Sequence, residues 1–153
     1  MGANVDIRDF PGYAPLINDK YLIEVAKEAA QLALPEEMFS IMDSMWSAST
    51  DMGDISSVMP AVHPFIPGIE GGLHNADFRV VDAEKACVGS AKFQLAMVYL
   101  LMSNRAKRAM QVIKASKPYF ANKTEYFKYI DSLACEGDRI EYSFDSNVKV
   151  NLN

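Results

Sequence analysis

Asp82-Ala83-Glu84-Lys85-Ala86-Cys87-Val88-Gly89-Ser90-Ala91-Lys92-Phe93-Gln94-Leu95-Ala96-Met97-Val98-Tyr99-Leu100-Leu101-Met102 is the strongest helical signal in this sequence. Asp82 suits an N-cap. From Ala83 to Met102, the residues Val88, Ala91, Leu95, Val98, Tyr99 and Met102 recur three and four apart and fall on one face. Arg105, Lys107 and Arg108 follow, and cations suit the negative end of a helix dipole. Downstream, a second amphipathic stretch spans Ala106 to Ser116 and ends near Pro118. Glu125 to Ala134 predicts a further short helix, stopped by Gly137. The tail from Arg139 to Val150 alternates loosely and reads as an edge strand or hairpin.

Upstream, Asn18 is placed to cap a helix with apolar residues at Leu22, Val25, Ala26, Ala29 and Ala33. That helix must stop before Pro35. Val5 to Phe10 alternates apolar and polar like a strand with one wet face, and Pro11-Gly12 breaks it. Between Ser47 and Gly72 small residues, prolines and glycines dominate, with Ala61-Val62-His63 and Phe65-Ile66 as a candidate short buried strand. A long irregular region inside one domain is often a ligand-facing surface.

At 153 residues the chain suits one domain. Its 15 basic and 20 acidic residues give a net charge of −5, which argues against a general nucleic-acid binder. No run approaches 18 consecutive apolar residues, so no membrane partner is expected. Met1 to Asp6 lacks the features of a secretory signal. A cytoplasmic address is therefore expected, with Cys87 and Cys135 reduced; their 48-residue separation matches no paired metal-ligand spacing.

Few residues stand out as chemistry. His74 sits in a loop after Gly71-Gly72-Leu73, and neutral imidazole is a common metal ligand. On the bare sequence, however, a lone loop histidine is more often merely polar surface. His63, between Val62 and Pro64, reads as a buried, hydrogen-bonded histidine. Asp51 and Asp54 form a D-x-x-D pair that suits a metal, an amine or acid–base work; the competing reading is helix capping by Thr50 or Asp51 with an acidic first turn. A triad of Ser56, His63 and Asp51 can be drawn on paper, but no G-x-S-x-G elbow supports it. Glu36-Glu37 reads as an acidic helix start after Pro35, and the methionines as core filler. No phosphate loop, dinucleotide fingerprint or H-E-x-x-H is present.

Three stretches, in order, resemble one family. Asp9-Phe10-Pro11-Gly12-Tyr13-Ala14-Pro15-Leu16-Ile17-Asn18-Asp19 is similar to the segment leaving the lid domain of metal-dependent N-acyl-amino-acid amidohydrolases, relatives of the two-metal aminoacylases and carboxypeptidases. Ser49-Thr50-Asp51-Met52-Gly53-Asp54-Ile55-Ser56, with Val58-Met59-Pro60 and His63-Pro64, resembles the aminobenzoyl-glutamate hydrolase branch. Gly72-Leu73-His74-Asn75-Ala76-Asp77-Phe78 looks like the stretch carrying that family's last metal-binding histidine. The likeness covers about Val5 to Met102. It departs from the family in one large respect: no H-x-D is present, and Glu36-Glu37 lies in the wrong order to serve as the family's Glu-Glu pair.

The resemblance therefore implies the C-terminal portion of such an enzyme. Residues 1–17 would be the end of the lid domain and linker, and 18–153 the C-terminal part of an α/β, aminopeptidase-like catalytic domain, with helices packed on a mixed sheet. It implies hydrolysis of amide bonds in N-acyl or aminobenzoyl amino acids or small peptides, using two divalent ions (zinc, manganese or cobalt) per complete site. His74 would supply one ligand, and Asp51 and Asp54 would lie near the substrate. No catalytic residue falls in this portion, so the isolated chain is expected to be inactive and to pair with the missing N-terminal half or self-associate. The other reading is a non-catalytic interaction or remnant protein that keeps part of the fold.

Overall fold

The computed structural model describes residues 11–41, 49–133, 140–142 and 148–150. The strand expected over Val5 to Phe10, together with Met42, Met45 and Cys135, lies outside the described residues.

Helix α1 spans Lys20–Ala33. Its N-cap is Asp19, whose Oδ1 accepts the N–H groups of Tyr21 (2.9 Å) and Leu22 (3.0 Å), satisfying two donors that a helix start leaves orphaned. Asn18, the expected cap, is one residue early. Its Oδ1 instead accepts the His63 N–H at 2.8 Å, while Asp19 N–H donates to the Ala61 carbonyl at 2.8 Å. These two bonds tie the helix start to the 61–63 segment. Leu34, ahead of Pro35, is extended, as a residue preceding proline prefers, and a single 3-10 turn follows at Glu36–Met38.

After Asp82 the chain enters a π-helical turn, Glu84–Gly89, and continues as α3, Ser90–Ala115. That helix is broken at Ser103, which is extended, and at Asn104, Arg105 and Ala106, which hold φ of 51°, 58° and 57°. Two arms result, 90–102 and 107–115, matching the two amphipathic stretches expected on either side of Arg105. Helix α1 runs antiparallel to both arms. Ala26, Ala29 and Ala30 pack on Phe93 of the first arm, and Leu22 and Val25 pack on Val112 of the second, with Met97 and Leu100 filling between. The alanines let the backbones approach closely, which suits the helix pair but leaves a thin core.

Helix α2 spans Asp51–Val58 and contacts α4, Lys123–Leu133. Strands β1, Ile69–Glu70, and β2, Arg79–Val80, form a short antiparallel hairpin; β3, Ile140–Tyr142, and β4, Val148–Val150, form another. The tail hairpin agrees with the alternation seen there.

The expected α/β architecture is overturned. Among the described residues the strands make two separate two-stranded sheets, and the core is helix on helix rather than helices on a mixed sheet. The expected buried strand at 61–66 is likewise absent: Ala61 is buried, but Phe65 and Ile66 are exposed. Pro60, Pro64 and Pro67 offer no N–H to a ladder, and His63 spends its own on Asn18.

The apolar stripe read from the sequence does share one face of α3, but that face is open. Leu95 is 70% exposed, Val98 57% and Met102 61%, while Phe93, on the other side, is 8% exposed. A helix apolar on both sides asks for two partners, and α1 covers one of them.

Candidate functional site

The D-x-x-D stretch opens α2. Thr50 is its N-cap, with its hydroxyl near the Met52 N–H at 3.5 Å and donating to Asp51 Oδ1 at 3.0 Å. Capping, one of the two readings of this stretch, is therefore present. Asp51 is exposed in the first turn, where a carboxylate suits the helix dipole. Asp54 is half-buried and turned inward: its Oδ1 accepts the Ala14 N–H at 2.7 Å. Ser56 Oγ accepts the Ile17 N–H at 3.1 Å and donates to the Gly53 carbonyl at 2.8 Å. Gly53 lies flush on this segment, so a Cβ there would meet the Ala14 oxygen at 1.7 Å. Pro15 and Ser49 add a β-bridge. Two of the three family-like stretches are thus knit together through Asp54, Gly53 and Ser56. No Ser56–His63–Asp51 hydrogen bonding exists among the described residues, because the serine hydroxyl is already committed.

Tyr126 of α4 closes the other side of Asp54. Burial, and then the hydrogen bond and negative charge of Asp54, raise its phenol above the usual value. Sequence reasoning missed Tyr126 as a partner of Asp54, since nothing local links residues so far apart in the chain.

His74 lies in the connection between β1 and β2. Its backbone holds φ of 64°, in the left-handed region. Gly71, at φ 88°, starts this turn, and a Cβ there would meet the Asp77 carbonyl oxygen at 2.4 Å. Asp77 Oδ1 accepts the Gly72 N–H at 3.3 Å, Asn75 N–H donates to the Gly72 carbonyl, and Phe78 N–H donates to the Asn75 carbonyl. The loop is thereby built around His74, whose exposed imidazole makes no hydrogen bond among the described residues. It shares no ion pair or hydrogen bond with Asp51 or Asp54. His63 is half-buried rather than buried, and its ring stacks near Phe65 with centroids 6.2 Å apart.

Elsewhere, Lys85 donates its N–H to Asp82 Oδ1 at 3.0 Å and its ammonium lies 3.3 Å from Oδ2. That backbone hydrogen bond, reinforced by the lysine charge, holds the Asp82 carboxyl below the usual range. Cys87 is a free, exposed thiol. A cleft of about 410 Å³ lies in the crook of α3, lined in part by Tyr99, Lys107 and the ion-paired Arg108 and Glu28. It contains none of His74, His63, Asp51 and Asp54, the candidate site residues.

Among the described residues no group of three His, Cys, Asp or Glu side chains converges as a metal site. His74 therefore offers one imidazole where a catalytic zinc ordinarily takes three protein ligands. Comparison with protein-family models, with curated proteins and with solved structures finds no match, and the amidohydrolase likeness rests on the quoted residues alone.

Proposed function

We propose that this chain contributes a single ligand, His74, to the metal centre of an amide-bond hydrolase acting on N-acyl or aminobenzoyl amino acids or small peptides, with the remaining ligands supplied by residues outside it. The observation that carries this reading is the loop around His74. A non-glycine residue at φ 64° is uncommon, and such conformations gather at functional sites when the surroundings enforce them. Here Gly71, Asn75 and Asp77 enforce it, and the imidazole they display is exposed. Among the described residues the donor set does not make a metal site, so no reaction step belongs to these residues. Asp54, tied to Ala14 and Tyr126, supports the segment ahead of α1 in this reading, and Asp51 is the exposed carboxylate left to face a substrate.

A non-catalytic interaction module is the second reading, favoured by the open apolar face of α3. The two separate by histidine resonances, since the chain holds only His63 and His74. Zinc added to the metal-free chain is expected to shift the His74 imidazole signals and leave those of His63 in place. Equal response of both rings, or of neither, argues for the interaction module.

A further inference from the structure

The open side of α3 has the spacing of a coiled-coil seam. Ala91, Leu95, Val98 and Met102 follow one another at intervals of four, three and four, the a/d pattern of paired helices. Phe93, seven residues before Leu100, packs with it on α1 on the far side of the same arm. Leu95, Val98 and Met102 are each more than half exposed, as is Tyr99 beside them at 68%. Lys92, also exposed, occupies the equivalent flanking position one heptad earlier.

We propose that this seam binds a second copy of the same chain, antiparallel, about a twofold axis between Leu95 and Val98. In an antiparallel pair, a positions face d positions of the partner helix. The four layers then match by size: Ala91 of one copy lies against Met102 of the other, and Leu95 against Val98, each twice by symmetry. The flanking positions also match, because Lys92 meets the ring face of Tyr99 in the other copy and the same contact recurs across the axis. A parallel pair sets Ala91 against Ala91, leaving a void, and gives Lys92 no ring. The surface is thus complementary to itself, as a twofold interface must be. The inference stands independently of any metal chemistry at His74.

A lipid surface suits the seam less well. The segment Glu84–Ala115 is long and apolar enough by length and composition to cross a membrane. However, the chain turns at 103–106, and Lys92 sits near the middle of the 84–102 run that precedes the turn. A charge there is costly in hydrocarbon but welcome against an aromatic ring.

The seam is only about 18 Å long, shorter than stable dimers use, so the association is concentration-dependent. Sedimentation velocity of the full chain at about 10 to 500 μM is expected to show the mass rising from 17.0 kDa toward twice that value. Leu95→Glu is expected to weaken dimerisation at least about a hundredfold, since the side chain is lost from both copies. Lys92→Glu is expected to weaken it about fivefold to tenfold. Ile113→Glu, on the second arm and 62% exposed, leaves it unchanged. All three positions are exposed, so helical circular dichroism is expected to be retained; if Leu95→Glu disturbs it, Lys92→Glu decides. A chain that stays monomeric throughout, or one whose association falls as much with Ile113→Glu as with Leu95→Glu, overturns the proposal. So does a monomer that floats with phosphatidylcholine–phosphatidylglycerol vesicles through Leu95.

Discussion

Asp54 and its neighbours show how single residues of a motif can be tied to architecture. Asp54→Ala leaves the Ala14 N–H and the Tyr126 hydroxyl without their acceptor, and a half-buried polar group stripped of its partner costs about 1–3 kcal/mol. Gly53→Ala forces a methyl into the Ala14 carbonyl and is expected to cost about 3 kcal/mol, because the obstacle is backbone. Asp51→Ala, exposed in the first turn, is expected to cost only about 0.5 kcal/mol. Urea unfolding midpoints check this ranking, and an Asp54→Ala midpoint equal to the parent's refutes the clamp. Tyr126 adds a pH dependence. Its folded pKa is raised above 10.0, so its stabilisation is fully present below that pH and is lost as pH rises through the folded value. Alkaline unfolding above pH 10.0 is expected to soften in Tyr126→Phe. Asp82 acts in the opposite direction: its lowered pKa gives stability above 3.8 that is lost as pH falls.

At the scale of elements, the break in α3 is the feature with the clearest energetic signature. Three successive non-glycine residues in the left-handed region each strain the backbone, and glycine at one of them relieves about 1 kcal/mol. Ala106→Gly, which also removes no contact of a large side chain, is expected to raise the thermal midpoint; a lower midpoint means the arms are continuous. The two arms were legible in the sequence because Arg105, Lys107 and Arg108 interrupt the apolar period. Helix α1 was legible too, to within one residue, since Asn18 and Asp19 are both competent caps and only the fold assigns Asn18 to His63. Which face of α3 is buried was not legible. Phe93, Ala96, Met97 and Leu100 are as apolar as Leu95 and Val98, and periodicity cannot choose between two apolar faces. The α/β expectation came from the resemblance, and the candidate strand at 61–66, read from its apolar residues, is interrupted by Pro64 and flanked by Pro60 and Pro67, which cannot feed a ladder.

Across the described residues, buried apolar side chains concentrate on the α1–α3 contact and are largely alanine, while Leu95, Val98, Tyr99, Met102, Met110 and Ile113 remain open on α3. A thin core beside an extensive apolar face is the pattern of a chain that completes its surface by association. His74 repeats this at the level of chemistry: one displayed imidazole, with no converging ligands among the described residues. The motif stretches made the histidine and the two aspartates conspicuous, but their separate fates depended on contacts over tens of residues, with Ala14 and Tyr126, that no local pattern encodes. The most direct measurement is a calorimetric titration of the metal-free chain with zinc and with manganese, alongside His74→Ala. Single-ligand supply predicts weak binding that disappears in His74→Ala, and no amide hydrolysis by the chain alone. Tight binding of two ions, or binding indifferent to His74→Ala, contradicts it.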